Sequence, residues 1–397
     1  MTDADVSAGV EPRRTTRLLA YAIGPALVLV ALIFAIIRID PLAAIRTGLP
    51  PVEDLTFERV TLTEEPRHLV ATIVNGGPDA VTIAQVLVDD AFWLYEVRPA
   101  ARIEPLGSAR VAIDYPWVRG EPLKLTILTA TGLTFSHTVA VAVRTPSLTA
   151  ATLTNLALIG LLVGVIPVLI GLLWAPLLRR LSPNRVGVAL AFTCGVLAFL
   201  VVDASGEAAE LFNHVPSALG GLTLFILAGV LAVGSLITVG SRIRGGDTVS
   251  VGQSLGVLIA ISIGLHNFGE GLAIAAAYSL GLVALTSLLV VGFTVHNASE
   301  GIAIVAPLGD VPAGVRLLGG LGLVAGAPTI LGTWLGALAY SPTLGLVFLG
   351  LGVGAIVQVI WVVTRVLMRR DAVPPSVVGG AVAGFAAMYL TSILVAI

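Results

Sequence analysis

Three patterns of apolar and polar positions follow one another along the chain. Residues 1–15 are polar, and Arg13, Arg14 and Arg17 lead into a near-continuous apolar run from Leu18 to Ile37. A helix of about twenty apolar residues crosses a bilayer, so the run predicts a transmembrane anchor over 16–38 after a short tail at 1–15. A cleaved secretory signal is the alternative. Its apolar core is about 7–15 residues long, which favours the retained anchor. From about Leu49 to Val143 the pattern changes to short alternating runs: Leu55–Leu62, Leu69–Val74, Val81–Val88, Phe92–Val97, Arg110–Asp114, Leu123–Leu128 and Thr134–Val143. Many positions are β-branched, and Asn75-Gly76-Gly77-Pro78 and Arg119-Gly120-Glu121-Pro122 punctuate them. About seven short strands at this spacing predict a small β-sandwich, immunoglobulin-like or fibronectin-like, over 39–148. After Thr145-Pro146 the chain is apolar to its end. Eight further spans are expected near 152–176, 186–204, 219–241, 252–279, 284–308, 316–339, 343–367 and 376–396. Pro167 and Pro328 fall inside two of them, which neighbouring helices can tolerate.

Charge orients these spans. With the N-terminus in the cytoplasm, the β-domain lies outside, and the loops bearing Arg179, Arg180 and Arg185, then Arg242 and Arg244, then Arg316, then Arg365, Arg369 and Arg370, all fall inside. The opposite loops at 205–218, 280–283 and 340–342 contain no Lys or Arg. The expected fold is therefore a membrane all-α bundle of eight helices over 149–397, preceded by the anchor and an extracytoplasmic β-sandwich. The C-terminus is then extracytoplasmic and the location a cell (plasma) membrane.

Composition agrees. Only 12% of the 397 residues are charged, about half the usual share in soluble domains. A net charge of −2 argues against a nucleic-acid partner. The single cysteine, Cys194, excludes an internal disulfide and a multi-cysteine zinc site. His68 and His137, alone in the β-domain, read as structural or solvent-facing.

The chemistry concentrates in a repeat. His266-Asn267-Phe268-Gly269-Glu270-Gly271-Leu272-Ala273-Ile274 returns thirty residues later as His296-Asn297-Ala298-Ser299-Glu300-Gly301-Ile302-Ala303-Ile304. From Thr248 to Gly309 the only charged side chains are Glu270 and Glu300. A carboxylate at membrane depth costs roughly 2.5–3.5 kcal/mol on insertion scales, so it needs a partner and a role. Each Glu follows a His at i+4, on one helix face. A tight connection near Gly281 makes the two helices antiparallel, which brings both motifs to similar depth near the midplane. Imidazole and carboxylate suit Zn²⁺, Fe²⁺, Mn²⁺, Co²⁺ and Ni²⁺. His266, Glu270, His296 and Glu300 are the expected metal ligands. Asn267 and Asn297, about 100° away on their helices, can add carbonyl ligands or orient the others. Gly271 and Gly301 would permit close helix approach. A buried polar network that only joins two helices is the plainer alternative.

The motif pair resembles the ZIP (Zrt-, Irt-like) divalent metal transporters, especially their bacterial branch, whose consecutive fourth and fifth helices carry H-N-x-x-[DE]-G and [HQ]-N-x-x-E-G. The resemblance covers roughly residues 150–397. It implies transport of divalent metal into the cytoplasm through a midplane site, with His266, Glu270 and Glu300 as ligands of a first site. His296 stands where many members have His or Gln. Asn267 and Asn297 match second-site positions of binuclear members, with the two Glu side chains bridging. The chain also departs from that pattern. Gly269 and Ser299 replace a frequent Pro, Ala327-Pro328 replaces a Glu-Pro, and Leu197 stands where some members have a thioether ligand. The loop Ser241–Ser250 lacks a His-rich tract, and the anchor and β-domain lie outside the resemblance.

Asp203, Glu207, Glu210 and His214 share a helix face toward the outside. They are a candidate vestibule that gathers cations, or else a solvated helix end. No phosphate-binding loop with Lys is present, so ATP hydrolysis is not expected. No enzyme cofactor is expected either: the metal, most simply Zn²⁺ or Fe²⁺, is cargo. The rival readings are a non-transporting membrane metal sensor and an intramembrane metal-dependent hydrolase, the latter without the H-E-x-x-H signature. Expected partners are metal ions, the lipid bilayer, an unspecified ligand of the β-domain and, as an open alternative to the monomer, a second copy of the chain.

Overall fold

Alternation with period two produces the strands where the sequence places them. In the computed structural model, residues 27–32, 34, 35, 38, 51–64, 68–145, 149–244, 250–279, 283–308, 314–339, 341–368 and 374–396 are described. β1 (Leu55–Leu62), β2 (Leu69–Asn75), β7 (Ser108–Ile113) and β5 (Tyr95–Arg98) form one sheet in the order β1-β2-β7-β5. β4 (Ala91–Phe92), β3 (Val81–Val88), β8 (Leu123–Thr129) and β9 (Thr134–Val139) form the other, with β6 (Arg102–Ile103) paired to β3. Along β2 every second side chain is buried. Leu69, Ile73 and Val111 of one sheet meet Val86, Leu125 and Ile127 of the other in one core with Trp117, whose Nε1 donates to the Thr63 carbonyl at 2.8 Å. The strand order is that of an immunoglobulin-type sandwich.

Two expectations about strands change. The run Phe92–Val97 is not one strand: the chain leaves β4 in one sheet and enters β5 in the other, so Trp93 and Leu94 make the crossing. β9 ends at Val139 rather than Val143, and two-residue β6 is too short to leave a period.

The helical part contains α1 (Ala150–Gly160), a single wide turn at Leu161–Val165, α2 (Ile166–Leu172), α3 (Ala175–Leu178), α4 (Pro183–Leu211), α5 (Gly221–Arg244), α6 (Val251–Ser279), α7 (Val283–Val305), α8 (Val315–Ala339), α9 (Pro342–Leu367) and α10 (Pro375–Ala396). Eight spans among the described residues, with α1 through α3 counting as one, are long and apolar enough to cross a membrane. They fall close to the eight stretches expected from hydropathy, as a multi-pass membrane protein requires. Of the anchor expected at 16–38, Leu27–Leu32 is helical with exposed side chains. Most of its remainder, and the tail at 1–15, lie outside the described residues.

The sandwich and the bundle belong to one compact unit, Val52–Ile397. The turn after β2 docks on the loop after α4. Ser217 Oγ and the Ala218 N–H donate to the Gly76 carbonyl at 2.9 and 3.0 Å, and the Ser217 N–H donates to Asp54 Oδ2 at 3.2 Å. Gly76 is required there, since a Cβ would stand 2.8 Å from Ser217 N and 2.9 Å from Pro216 Cα. β1 and β9 face the bundle across a cavity of about 300 Å³ that the ends of α4, α6, α8 and α9 also line, through Glu210, Ala276, Gly336 and Pro342. The ends of α4, α8 and α9 that carry Arg185, Arg316 and Arg365 lie opposite.

The docked turn bears on how topology is tested. Asn75, Gly76 and Gly77 are buried, so a topology label placed in this turn would disrupt the docking. Arg119 is exposed. In intact cells, Arg119→Cys on a Cys194→Ser background is expected to react with a membrane-impermeant maleimide added outside. Labelling only after lysis would reverse the orientation drawn from the basic loops.

Candidate metal centre

α6 and α7 carry the two motifs, and their middle turns face each other. The nitrogen and oxygen ligand atoms of His266, His296 and Glu300 lie within 4.8 Å of one another. Ligands about 2.1 Å from one ion stand at most about 4.2 Å apart, so drawing in by less than about 1 Å would close the site. Glu270 joins the group. Its Oε1 contacts His296 Nε2 across the helix pair and lies 3.3 Å from His266 Nε2 on its own helix. Its Oε2 accepts from Asn297 Nδ2 at 3.0 Å. The two rings stand 6.2 Å apart, centroid to centroid. All four expected ligands therefore converge, and Glu270 and Glu300 are 4% and 0% exposed.

The repeat is symmetric in sequence but not in its bonds. Glu270 is held by two imidazoles and an amide. No hydrogen bond of ordinary geometry reaches either oxygen of Glu300, although the Asn267 side chain lies close by. Eight buried side-chain nitrogen or oxygen atoms lack a hydrogen-bond partner among the described residues. Five belong to the motifs: Asn267 Oδ1, Asn297 Oδ1, both oxygens of Glu300, and His266 Nε2, whose contact with Glu270 is the 3.3 Å ion pair and not a hydrogen bond of ordinary geometry. Each such buried atom costs about 1–3 kcal/mol, and four of the five are oxygen acceptors. Of these, the Glu300 oxygens and the His266 nitrogen belong to residues whose ligand atoms could hold one cation together with His296.

Two prolines, read from sequence only as tolerable, position the motifs. Asn297 Nδ2 also donates to the Val163 carbonyl at 3.0 Å, the i−4 carbonyl of Pro167, which has no N–H to give it. Asn267 Nδ2 donates at 3.1 Å to the Ala325 carbonyl, in the turn before Pro328. Four residues after each proline stands a glycine, Gly171 and Gly332. A Cβ on Gly301 would lie 2.7 Å from Gly171 Cα, and one on Gly332 3.1 Å from Gly271 Cα. P-x-x-x-G thus recurs as the docking partner of H-N-x-x-E-G. The motif glycines consequently pack on the proline helices, α7 on α2 and α6 on α8, and not on each other as their spacing suggested. The signal was present in the sequence as a second, weaker repeat. The wide turn at Leu161–Val165 lies beside Asn297, where such irregular turns often mark a site.

The proposed vestibule divides. Asp203 and Glu207 line, with His296, a cavity of about 190 Å³ walled by Phe199, Phe293 and Met388. Glu210 and His214 instead face the sandwich across the junction cavity. On the arginine-bearing side of the motifs, Leu197, Leu200, Ile259, Ile263, Ile304 and Ile356 pack into one fully buried cluster. The described cavity beside His296 thus lies on the Asp203 and Glu207 side of the motifs, and apolar side chains fill the other side. The chain matches no protein-family model, and no curated protein resembles it significantly.

Proposed function

We propose that this protein carries divalent transition-metal ions, Zn²⁺ or Fe²⁺ foremost, through the membrane into the cytoplasm, in the manner of the ZIP transporters its motifs resemble. The observation that supports this best is the gathering of ligand atoms of His266, His296 and Glu300 within 4.8 Å of one another, beside Glu270, on two facing helices. In this reading Asp203 and Glu207 attract the cation. His266, His296, Glu270 and Glu300 then bind it, and Asn267 and Asn297 hold the proline helices in register or lend their carbonyl oxygens. Binding needs neutral imidazoles and ionised carboxylates, so the cation displaces protons and uptake weakens as pH falls. Release requires the apolar cluster around Leu200 and Ile259 to part while the outer cavity closes, as in alternating access. The basic loops orient the chain, with the arginine-bearing ends in the cytoplasm, and the inward direction of transport is taken from the resemblance.

The deciding experiment is uptake of a metal panel by liposomes containing the purified chain. Saturable, pH-dependent Zn²⁺ or Fe²⁺ flux is expected, and tight binding without flux would favour a sensor. That second reading draws on α4, which joins Asp203 to the docking loop of the sandwich.

Replacing Asp203 by Asn and Glu207 by Gln together is expected to raise the apparent KM about tenfold, more at low ionic strength, with maximal rate little changed. Both carboxylates line the approach cavity without joining the ligand cluster. A collapse of maximal rate at constant KM would make them ligands instead.

A further inference from the structure

Near the arginine-bearing end of the bundle, α5, α6 and α9 enclose a groove of about 620 Å³. Its floor is packed: Leu255, Leu258 and Ser254 of α6 are buried. Its rim is open: Ile237 of α5 and Val357 and Trp361 of α9 are exposed. All three helices are long and apolar enough to cross a membrane. The medium that meets the rim is therefore lipid.

Polar side chains stand at two levels of the groove. Arg365, in the last turn of α9, lays its guanidinium over the Trp361 ring, 4.9 Å from the centroid. No carboxylate pairs with it among the described residues. The first turn of α6, at Val251, borders the same end, and a helix N-terminus favours an anion there. Gln358 lies about 10 Å deeper along α9 than Arg365. It is 6% exposed and lines the groove, yet its amide makes no hydrogen bond among the described residues. Ser254, by contrast, is satisfied, its Oγ donating to the Ser250 carbonyl at 3.1 Å.

An unpaired cation, an unpartnered amide below it and an apolar trough follow the order of groups in a glycerophospholipid: phosphate, ester carbonyl, acyl chain. Trp361 suits the same level, since tryptophan gathers where headgroups meet hydrocarbon. Basic pockets between membrane helices are recurrent seats for anionic headgroups. We propose that this groove binds one anionic phospholipid of the leaflet on the arginine-bearing side, with its phosphate on Arg365, an ester carbonyl on the Gln358 amide and an acyl chain along Ile237, Leu255 and Leu258. A zwitterionic lipid carries its own cation beside the phosphate and competes poorly for Arg365. No residue of the two His and Glu motifs lines the groove, so the site stands whether or not the metal centre transports.

The test is native mass spectrometry of the full chain, delipidated in detergent, with phosphatidylglycerol or phosphatidylcholine of the same acyl chains. One phosphatidylglycerol is expected to bind at least tenfold more tightly than phosphatidylcholine. Arg365→Gln, at an exposed position, should abolish that preference. Gln358→Leu, which removes the amide at similar volume, should weaken both lipids at least threefold. Ile237→Trp, also at an exposed position, should fill the groove and remove the tight site. A second measurement reads stability: phosphatidylglycerol should raise the Tm of the wild type and leave that of Ile237→Trp unchanged. Glycerol 3-phosphate, a phosphate without chains, should not compete. Equal affinity for the two lipids overturns the proposal. So does a preference that survives Arg365→Gln, or tight binding that survives Ile237→Trp. Competition by glycerol 3-phosphate would make this a phosphate site and overturn the lipid assignment. A lipid-free dimer that Ile237→Trp splits would give the groove to a second copy of the chain and overturn it equally.

Discussion

Glu270→Gln combined with Glu300→Gln is expected to leave a folded, membrane-inserted protein that no longer binds or moves metal at its centre. The two carboxylates are the only formal charges from Thr248 to Gly309. An amide of the same shape preserves packing while removing the charge that balances a divalent ion. Glu300→Gln relieves an acceptor pair that no hydrogen bond satisfies, so the apo protein should be as stable or more stable. Glu270→Gln disturbs contacts with His296, His266 and Asn297, so it should cost some stability as well as binding. Midplane affinity for Zn²⁺ should fall at least 100-fold in the double variant, equivalent to about 2.7 kcal/mol. Flux in liposomes should fall to the level of empty vesicles. His266→Ala should weaken binding more than Asn267→Ala, because the first removes a ligand and the second first loosens the bond to the Ala325 carbonyl. Near wild-type flux from the double variant would remove the site and the transport reading with it.

What could be read in advance follows from which features are local. The period-two runs of β1, β2, β3 and β8 and the long apolar helices carry their own signal, because each buries a face at a fixed spacing. The duplicated His and Glu were visible for the same reason: they are charges where none is otherwise tolerated. The partners of a face are not local. Helical spacing puts Asp203, Glu207, Glu210 and His214 on one stripe. It cannot say that α7 and α10 cover its first turn and the sandwich covers its last. His137 stands alone in its strand, and the bundle residues that share its cavity come from across the junction. A proline in an apolar span signals only a local defect, and the glycine at i+4 gains its meaning from the motif helix against which Gly171 or Gly332 packs.

Those crossings carry the second large effect. Gly301→Ala is expected to abolish transport while Gly269→Ala leaves it intact, although both glycines lie on motif helices near the same depth. A Cβ on Gly301 would stand 2.7 Å from Gly171 Cα and 3.0 Å from its carbonyl carbon, with the Val168 carbonyl oxygen closer still. These are backbone atoms of a packed helix and cannot swing aside as a side-chain end can. α2 and α7 must therefore part by a sizeable fraction of an ångström or more. That shift moves Glu300, one residue away, and pulls Asn297 from the Val163 carbonyl. A site whose ligands must close around an ion about 2.1 Å from each tolerates little such error. Gly271→Ala meets the same obstacle on the other side, where its Cβ would lie 2.8 Å from Thr333 N and 3.0 Å from Gly332 Cα. At Gly269 nothing lies within 4 Å of an added Cβ, and alanine favours the helix by roughly 1 kcal/mol. Uptake should accordingly fall at least 100-fold for Gly301→Ala and for Gly271→Ala, and stay within about twofold of wild type for Gly269→Ala. Thermal stability should follow the same order. If Gly301→Ala transported normally, the close crossing of α2 and α7 would not be what sets the geometry of the metal centre, and the recurrence of P-x-x-x-G beside H-N-x-x-E-G would lose its physical meaning.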